Sequence, residues 1–323
     1  MLRKLGRSGI EVSAMGLGTA RVGGLGFSRK GDHETNMPPS AVEESKRAVR
    51  MAFDRGVTLF DTADDYGLGG AERLLGEALQ GIRQKVVIAT KFGGALTDET
   101  MGEWVAGKEV TPEYVQQACD GSLKRLRTDV IDLYLFHIRD YPIDSAEPIR
   151  DALEDLVAMG KIRSYGWSTD DPDRAKLFAQ GKHCTAVEHR LNVLMDARKM
   201  LELCDEEDLA SINRVPLMMG VFTGRWHRES ELPEEDRRSD WFKDEEFLTI
   251  LDRAEEIRPF VTEGGRSYVQ GALGWIWARH PRAIPIPGFR TMEQVEDLVG
   301  AMSFGPLSQQ AFERAKEIMQ KPL

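Results

Sequence analysis

The sequence predicts a closed barrel of eight parallel strands, each followed by a helix: a (β/α)8 or TIM barrel of the α/β class. Short apolar runs alternate with stretches of helical periodicity about eight times along the 323 residues. The runs are nearly continuous in apolar character, as expected of strands covered on both faces. No signal for a chain reversal interrupts the series, and eight such pairs favour closure over an open sheet. Length alone admits two domains, but barrels of this kind reach this size as one. Residues 1–323 are therefore read as a single domain with long loops at the carboxyl-end face of the barrel.

The elements follow in order. A first strand lies near "AMGLG" (14–18), and "SAVEESKRAVRMAFDRG" carries Val42, Ala48, Val49, Ala52 and Phe53 on one helical face. Next come the strand "VTLF" (57–60), the helix "AERLLGEALQG" (71–81) and the strand "KVVIATKF" (85–92). The helix over 111–128 opens with Thr111 as N-cap and Pro112 at the first helical position. After the strand "VIDLYLFH" (130–137), Ile149, Ala152, Leu153, Leu156 and Val157 hold helical spacing and Gly160 ends that helix. The pattern continues with "IRSYGWS" (162–168), a helix over 171–180, "TAVE" (185–188), a helix over 196–205 and "DLASIN" (208–213). One long helical region over 243–279, the strand "AIPIP" (283–287), a helix from Met292 and an amphipathic helix over 308–320 complete it. The segments 18–40 and 222–243 are too long and irregular for simple connections and are expected to be lids or binding loops.

Composition narrows the function. The net charge of -10 argues against a nucleic-acid partner, whose phosphates demand a basic surface. No stretch approaches the ~20 apolar residues that cross a bilayer, and the N-terminus lacks a signal-peptide core. Cys119, Cys184 and Cys204 are odd in number and widely spaced, which fits a reducing compartment, and the cytoplasm is the expected location. "GEWVAGK" (102–108) has phosphate-loop spacing, but Glu109 replaces the hydroxyl that would hold magnesium. "GDHETN" and "GKHC" are weak evidence for a metal, and none is expected.

In a barrel of this kind the chemistry sits at the carboxyl ends of the strands. Those ends carry Asp61, Lys91, His137 and Ser168, each polar and each directly after an apolar run on a different strand. A single lysine there is commonly a surface residue with a buried stem. Four polar ends in one register are harder to ascribe to chance.

The segments "DTADDYG", "AERLLGEAL", "IATKFG", "SLKRLRTDVIDLYLFH", "GKIRSYGWS" and "IPIPGFRTMEQVED" resemble the aldo-keto reductases, in that order, over about 5–301. The resemblance implies NADP(H) bound in extended form and a catalytic tetrad of Asp61, Tyr66, Lys91 and His137. It implies reduction of an aldehyde or ketone to an alcohol by hydride transfer, on a small-molecule carbonyl substrate. A free phenol with a pKa of ~10 is a poor acid near neutrality, and Lys91, held by Asp61, is expected to make Tyr66 a better one. His137 would orient the carbonyl oxygen. Asp64 and Asp65 are expected to stabilise the start of the following helix.

For the cofactor, the resemblance implies that Gly288, Arg290 and Gln294 hold the 2′-phosphate, with Asp297 near the adenine. It places Gly18, Thr19, Asp61, Ser168, Thr169 and Glu188 near the nicotinamide, with Arg214 stacking on it, and Pro216, Leu217, Gly220 and Arg225 along the pyrophosphate. Thr169, Glu188 and Arg214 stand where the family usually has Asn, Gln and an aromatic residue. That altered pocket supports an alternative, a subunit that senses NADP(H) with weak or vestigial activity. Arg21, Arg139, Trp226 and Trp241 are candidates to line the substrate site, whereas Trp275 and Trp277 read as core. Substrate identity and oligomeric state are not legible in the sequence.

Overall fold

The computed structural model describes residues 1–22, 38–94 and 110–321. Most of the 18–40 segment, "GDHETN" and the phosphate-loop-like "GEWVAGK" lie outside the described residues.

Eight strands form one parallel sheet in sequential order: β3 (Gly16–Gly18), β4 (Leu59–Asp61), β5 (Val87–Phe92), β6 (Ile131–Phe136), β7 (Ile162–Ser168), β8 (Cys184–Arg190), β9 (Ala210–Arg214) and β10 (Ala283–Pro285). The Gly18 amide donates to the Pro287 carbonyl at 3.0 Å, and a parallel bridge between Gly18 and Gly288 brings the last strand onto the first. Glycine is required at this seam. A Cβ on Gly16 would lie 2.9 Å from Leu59 Cγ, and one on Gly18 would lie 3.1 Å from the Ile286 carbonyl oxygen. The eight-stranded parallel sheet with intervening helices is the expected (β/α)8 architecture.

The helices α1 (Pro39–Asp54), α2 (Gly70–Ala78), α3 (Pro112–Leu126), α4 (Glu147–Ala158), α5 (Pro172–Ala179) and α6 (Arg198–Glu206) follow the strands in turn. Thr111 caps α3 as expected, its hydroxyl accepting from the Tyr114 amide. The region 243–279 is not one helix but two, α7 (Glu245–Val261) and α8 (Tyr268–Arg279). Gly264 and Gly265 turn the chain at φ 74° and 83°, and Ser267 with Gln270 starts α8 as a capping box. Then α9 (Met292–Phe304) and α10 (Gln309–Met319) close the chain, the latter packed on α7. Trp275 and Trp277 are buried, as are all three cysteines.

An antiparallel hairpin, β1 (Leu2–Lys4) and β2 (Glu11–Ser13), precedes the barrel and was not legible as strands. It brings Leu5 and Val12 into one apolar cluster with Leu59, Ala89, Leu133, Leu135, Ala186, Ala210, Ile212 and Ile284 of the barrel interior. Arg7 fastens the hairpin by donating to the Cys184 and Ala179 carbonyls at 2.8 and 2.7 Å. The amino-terminal mouth is thereby plugged. Among the described residues no helix is long and apolar enough to cross a membrane.

Candidate active site

Side chains two residues apart on a strand face the same side. On β4 that puts Asp61 above Leu59, and on β5 it puts Lys91 above Ala89 and Val87. Glu188 stands above Ala186 on β8, and Arg214 above Ile212 on β9. The interior thus changes from an apolar layer to a charged layer at the carboxyl ends of the strands.

Lys91 is the centre of that layer and is fully buried. Its ammonium donates to both Asp61 oxygens at 2.7 and 2.8 Å, to the Thr62 carbonyl at 2.9 Å and to the Tyr66 hydroxyl at 3.4 Å. Glu188 Oε2 also lies 3.4 Å from it, while Glu188 Oε1 accepts from the Ser168 hydroxyl at 3.1 Å. Tyr66 reaches this point because three consecutive residues after it, Gly67, Leu68 and Gly69, take positive φ and fold the chain back into α2. Glycine at two of the three keeps that turn inexpensive. The His137 ring stands edge-on to Tyr66 with centroids 6.0 Å apart. Among the described residues, all four proposed tetrad side chains meet at one mouth.

The electrostatics depart from expectation. Burial pushes the Tyr66 hydroxyl above its usual range, Lys91 pulls it down, and Asp61, Glu188 and Asp65 push it up again. The net direction is upward, so the phenol is kept protonated rather than acidified. Two carboxylates face one ammonium. Burial raises Asp61 to about 8 against the pull of Lys91, with Glu188 adding to the rise. For Glu188, burial is outweighed by Lys91, His137, Arg214 and the Ser168 hydrogen bond, and the direction is down. Asp61 has the shorter, two-pronged contact with Lys91, so the retained proton belongs to the pair of acids rather than to either one.

Asp64 and Asp65 do not stabilise the start of α2, whose N-cap is Gly69. Asp65 Oδ1 lies 3.6 Å from His137 Nδ1, so its carboxylate faces the imidazole. Asp64 is fully buried with neither carboxylate oxygen hydrogen-bonded among the described residues, and burial, reinforced by Asp65 and Glu72, holds its carboxyl well above the ordinary range. The two aspartates point into the protein, where sequence reasoning had only a turn to place them in.

A cavity of about 960 Å3 opens over this layer, at the upper end of small-molecule sites. Gly18, Asp61, Tyr66, His137, Glu188 and Arg214 line its floor. Pro216, Leu217, Gly220 and Arg225 line one wall, and Gly288, Arg290, Gln294 and Asp297 another. Four expected residues do not line it. Lys91 and Ser168 lie beneath it, Thr19 donates twice to the Asp61 carbonyl, and Thr169 is occupied with the Arg139 carbonyl at 3.0 Å. Arg214 is held by Asp170, which also takes Arg190 at 2.7 Å. Gln294 accepts from the Arg290 amide at 2.8 Å, and Asp297 accepts from the Gln270 side chain at 3.0 Å, tying α8 to α9.

Arg139, Trp226 and Trp241 line the cavity as anticipated, and Arg21 does so beside Arg290. Arg238 was missed; its guanidinium lies 4.8 Å from the Trp226 ring centroid on the 222–243 loop. Burial, with Arg290 and Arg238 nearby, lowers Arg21 to about 9. A cluster of cations that depresses one of its members marks a place for an anion. The only sequence signal for Arg238 was the irregularity of its loop. In the same wall, Val215, Met218 and Met219 adopt positive φ of 56°, 45° and 49°, left-handed backbone at a β-branched and two long residues. Such strain concentrates in ligand clamps, and the Asn192 amide stabilises this turn by donating to the Val215 carbonyl at 3.0 Å.

A barrel with an ammonium, a phenol and an imidazole at its carboxyl-end mouth defines a class of oxidoreductase, and comparison with known proteins bears this out. A sequence model of the Aldo/keto reductase family matches residues 14–320, and the chain belongs to that family. Aldo-keto reductase yakc [NADP(+)] of Schizosaccharomyces pombe is 31% identical over 297 residues, covering 88% of this chain and 85% of the relative. NADH-specific methylglyoxal reductase of Escherichia coli is 29% identical, covering 93% and 92%. Among solved structures, the glycerol dehydrogenase AKR11B4 of Gluconobacter oxydans superposes with a TM-score of 0.82 at 25% identity, covering 100% and 97%. An aldo-keto reductase of Klebsiella pneumoniae solved with NADPH gives 0.72 at 27%, again covering 100% and 97%.

Proposed function

We propose that this protein is an NADP(H)-dependent reductase that converts aldehyde or ketone carbonyls to alcohols, with Tyr66 as the proton donor. The observation that carries this reading is the buried Lys91 ammonium, 3.4 Å from the Tyr66 hydroxyl and anchored by both oxygens of Asp61.

The cavity suits the cofactor. Glu188 lines the cavity and its Oε2 has no hydrogen-bond partner among the described residues, so the carboxylate would accept from the carboxamide NH2 of a nicotinamide. Gly18 and Gly288 leave the wall without side chains where an extended molecule would pass. Arg290 at the start of α9, with Arg21 and Arg238 close by, supplies charge for a 2′-phosphate. One relative is named for NADP(+) and another for NADH, so the choice rests on these arginines, and they favour NADP(H).

When bound, the reduced cofactor supplies a hydride to the carbonyl carbon. The chain's own residues manage the oxygen. The Tyr66 hydroxyl, kept protonated by burial and the surrounding acids, hydrogen-bonds the carbonyl oxygen and gives up its proton as negative charge develops there. Lys91 becomes more valuable as that proton leaves, because an ammonium beside a forming phenolate stabilises it. Asp61 holds the ammonium in place. His137, backed by Asp65, orients the oxygen from the other side. Trp226 and Trp241 offer aromatic walls for the rest of the substrate.

Steady-state oxidation of NADPH with a panel of simple aldehydes tests the reading. Turnover on at least one carbonyl is expected, falling about 10²- to 10⁴-fold in Tyr66→Phe. Turnover unchanged in that variant would remove Tyr66 from its role. Tight cofactor retention with turnover below about one per minute on every carbonyl, against ordinary values of roughly 10 per second, would favour the sensing subunit instead.

A further inference from the structure

We propose that Glu188 makes the cavity prefer the oxidised, cationic form of its nicotinamide cofactor, by placing a second carboxylate against a single buried ammonium. The inference rests on the cofactor assignment above and goes beyond it, because the assignment requires only that a nicotinamide bind.

The argument is one of charge at the floor of the cavity. Lys91 is engaged at 2.7 and 2.8 Å by both oxygens of Asp61. Glu188 shares that ammonium at the longer distance of 3.4 Å, and its nearer oxygen, Oε2, has no hydrogen-bond partner among the described residues. Both carboxylates are almost wholly buried, at 3% and 2% exposure, so solvent screens them little. Of the other charged groups on the surrounding elements, Arg214 on β9 and the exposed Arg190 on β8 share one aspartate, Asp170, so Arg214 keeps part of its positive charge toward Glu188, equally in the wild type and in a Glu188 variant. Arg139 lies at the exposed rim. His137 faces Asp65, and Tyr66 is a neutral phenol. Once both acids are ionised, Asp61 and Glu188 exceed Lys91 by one negative charge.

The place of that charge is set by the reaction. A carbonyl oxygen within reach of Tyr66 requires the ring that reduces its carbon to lie within a few ångströms of the phenol. Glu188 is separated from the Tyr66 hydroxyl only by the Lys91 ammonium, 3.4 Å from each. A positive ring there attracts the carboxylate, whereas a neutral dihydro ring does not. At an effective dielectric constant of about 20, one charge at roughly 7 Å changes affinity on the order of 10- to 100-fold. The preference weakens at low pH, where the acid pair retains a proton and its excess charge disappears. A glutamine keeps the shape and the acceptor oxygen and removes the charge. A site that binds the oxidised form more tightly also favours hydride donation from the reduced form, which matches the proposed direction of reaction.

The test is the pair of dissociation constants for NADP+ and NADPH, from quenching of tryptophan fluorescence, at pH 6 to 9. The 2′-phosphate is common to both ligands, so its titration cancels in their ratio. For the wild type, Kd(NADPH)/Kd(NADP+) should rise about tenfold or more from pH 6 to pH 9. In Glu188→Gln the ratio should be flat within about threefold and lower than wild type at pH 9. The same pH course in both proteins, or a flat course in the wild type, overturns the inference. The wild-type course decides alone if the variant does not fold. Failure of the wild type to bind either nucleotide would instead defeat the cofactor assignment, which is a separate result.

Discussion

The two mouths of the barrel are built from the same strands and solve opposite problems. At the amino-terminal end, Leu5 and Val12 of the hairpin lie against Leu59, Leu133, Ala210 and Ile284, and Arg7 ties the plug to neighbouring carbonyls. The contacts that hold the plug are apolar packing and the two Arg7 hydrogen bonds. At the carboxyl-end mouth, two residues further along the same strands, Asp61, Lys91 and Glu188 are buried beneath a cavity rather than beneath a closing layer of described residues. Among the described residues the Asp64 carboxylate has no hydrogen-bond partner, Glu188 keeps one oxygen unpartnered, and Val215 is held in a left-handed conformation. One end is optimised for burial. The other carries two carboxylates against one ammonium, and backbone strain, of the kind that functional sites use.

That contrast predicts which substitutions separate stability from chemistry. Tyr66→Phe should give the largest effect, the 10²- to 10⁴-fold loss of turnover described above, with little change in melting temperature. A parallel fall in stability would blur the division between the mouths. Lys91→Met should affect both quantities, because it removes the ammonium and leaves Asp61 and Glu188 buried without a cation. A stability loss of about 3–5 kcal/mol is expected at pH 8. It should diminish at pH 5, where the acids take up protons, and denaturant titrations at the two pH values measure it.

Leu5→Ala attacks the other mouth. It should cost about 2–5 kcal/mol by transfer and cavity terms while turnover per folded molecule stays within about twofold. A large loss of turnover would show that the plug reaches the chemistry. Arg290→Ala tests the edge of the functional mouth. It should weaken NADPH binding roughly tenfold, from loss of a charge-assisted contact, and leave NADH binding nearly unchanged.

The smallest effect concerns the outward side of β8, where His189 is buried beside Ser211 and burial lowers it to about 4. The unfolded chain takes up a proton near pH 6.5 while the folded chain does not until about 4, so this site makes stability fall as pH drops across that window. His189→Gln should flatten that portion of the curve in chemical denaturation. An unchanged slope would assign the acid sensitivity to the carboxylates.

Much of this was legible from local pattern. Apolar runs bounded by helical periodicity located the eight strands, because burial on both faces leaves no room for alternation. The polar residues ending those runs marked the mouth, since an ionisable group directly after a buried strand must either reach solvent or do chemistry. Other features were not legible. The hairpin strands are three residues each and carry no periodicity. The break at Gly264 and Gly265 lay inside helical spacing that continues on both sides. Arg238 sat in a loop with no pattern at all, and its approach to the cavity depends on how that loop folds over Trp226.

By itself, the sequence determined the order of strands and helices and the identity of the groups at the strand ends, because period and composition are local properties. It also supplied an ammonium and an imidazole at strand ends and a phenol in the turn that follows Asp61. Only the tertiary structure decided the direction of their electrostatics. The rise of the Tyr66 pKa and the sharing of Lys91 between Asp61 and Glu188 depend on distances between four separate elements and on the exclusion of water from them. Charge interactions vary with separation and with the surrounding dielectric, and neither quantity exists until the chain has folded.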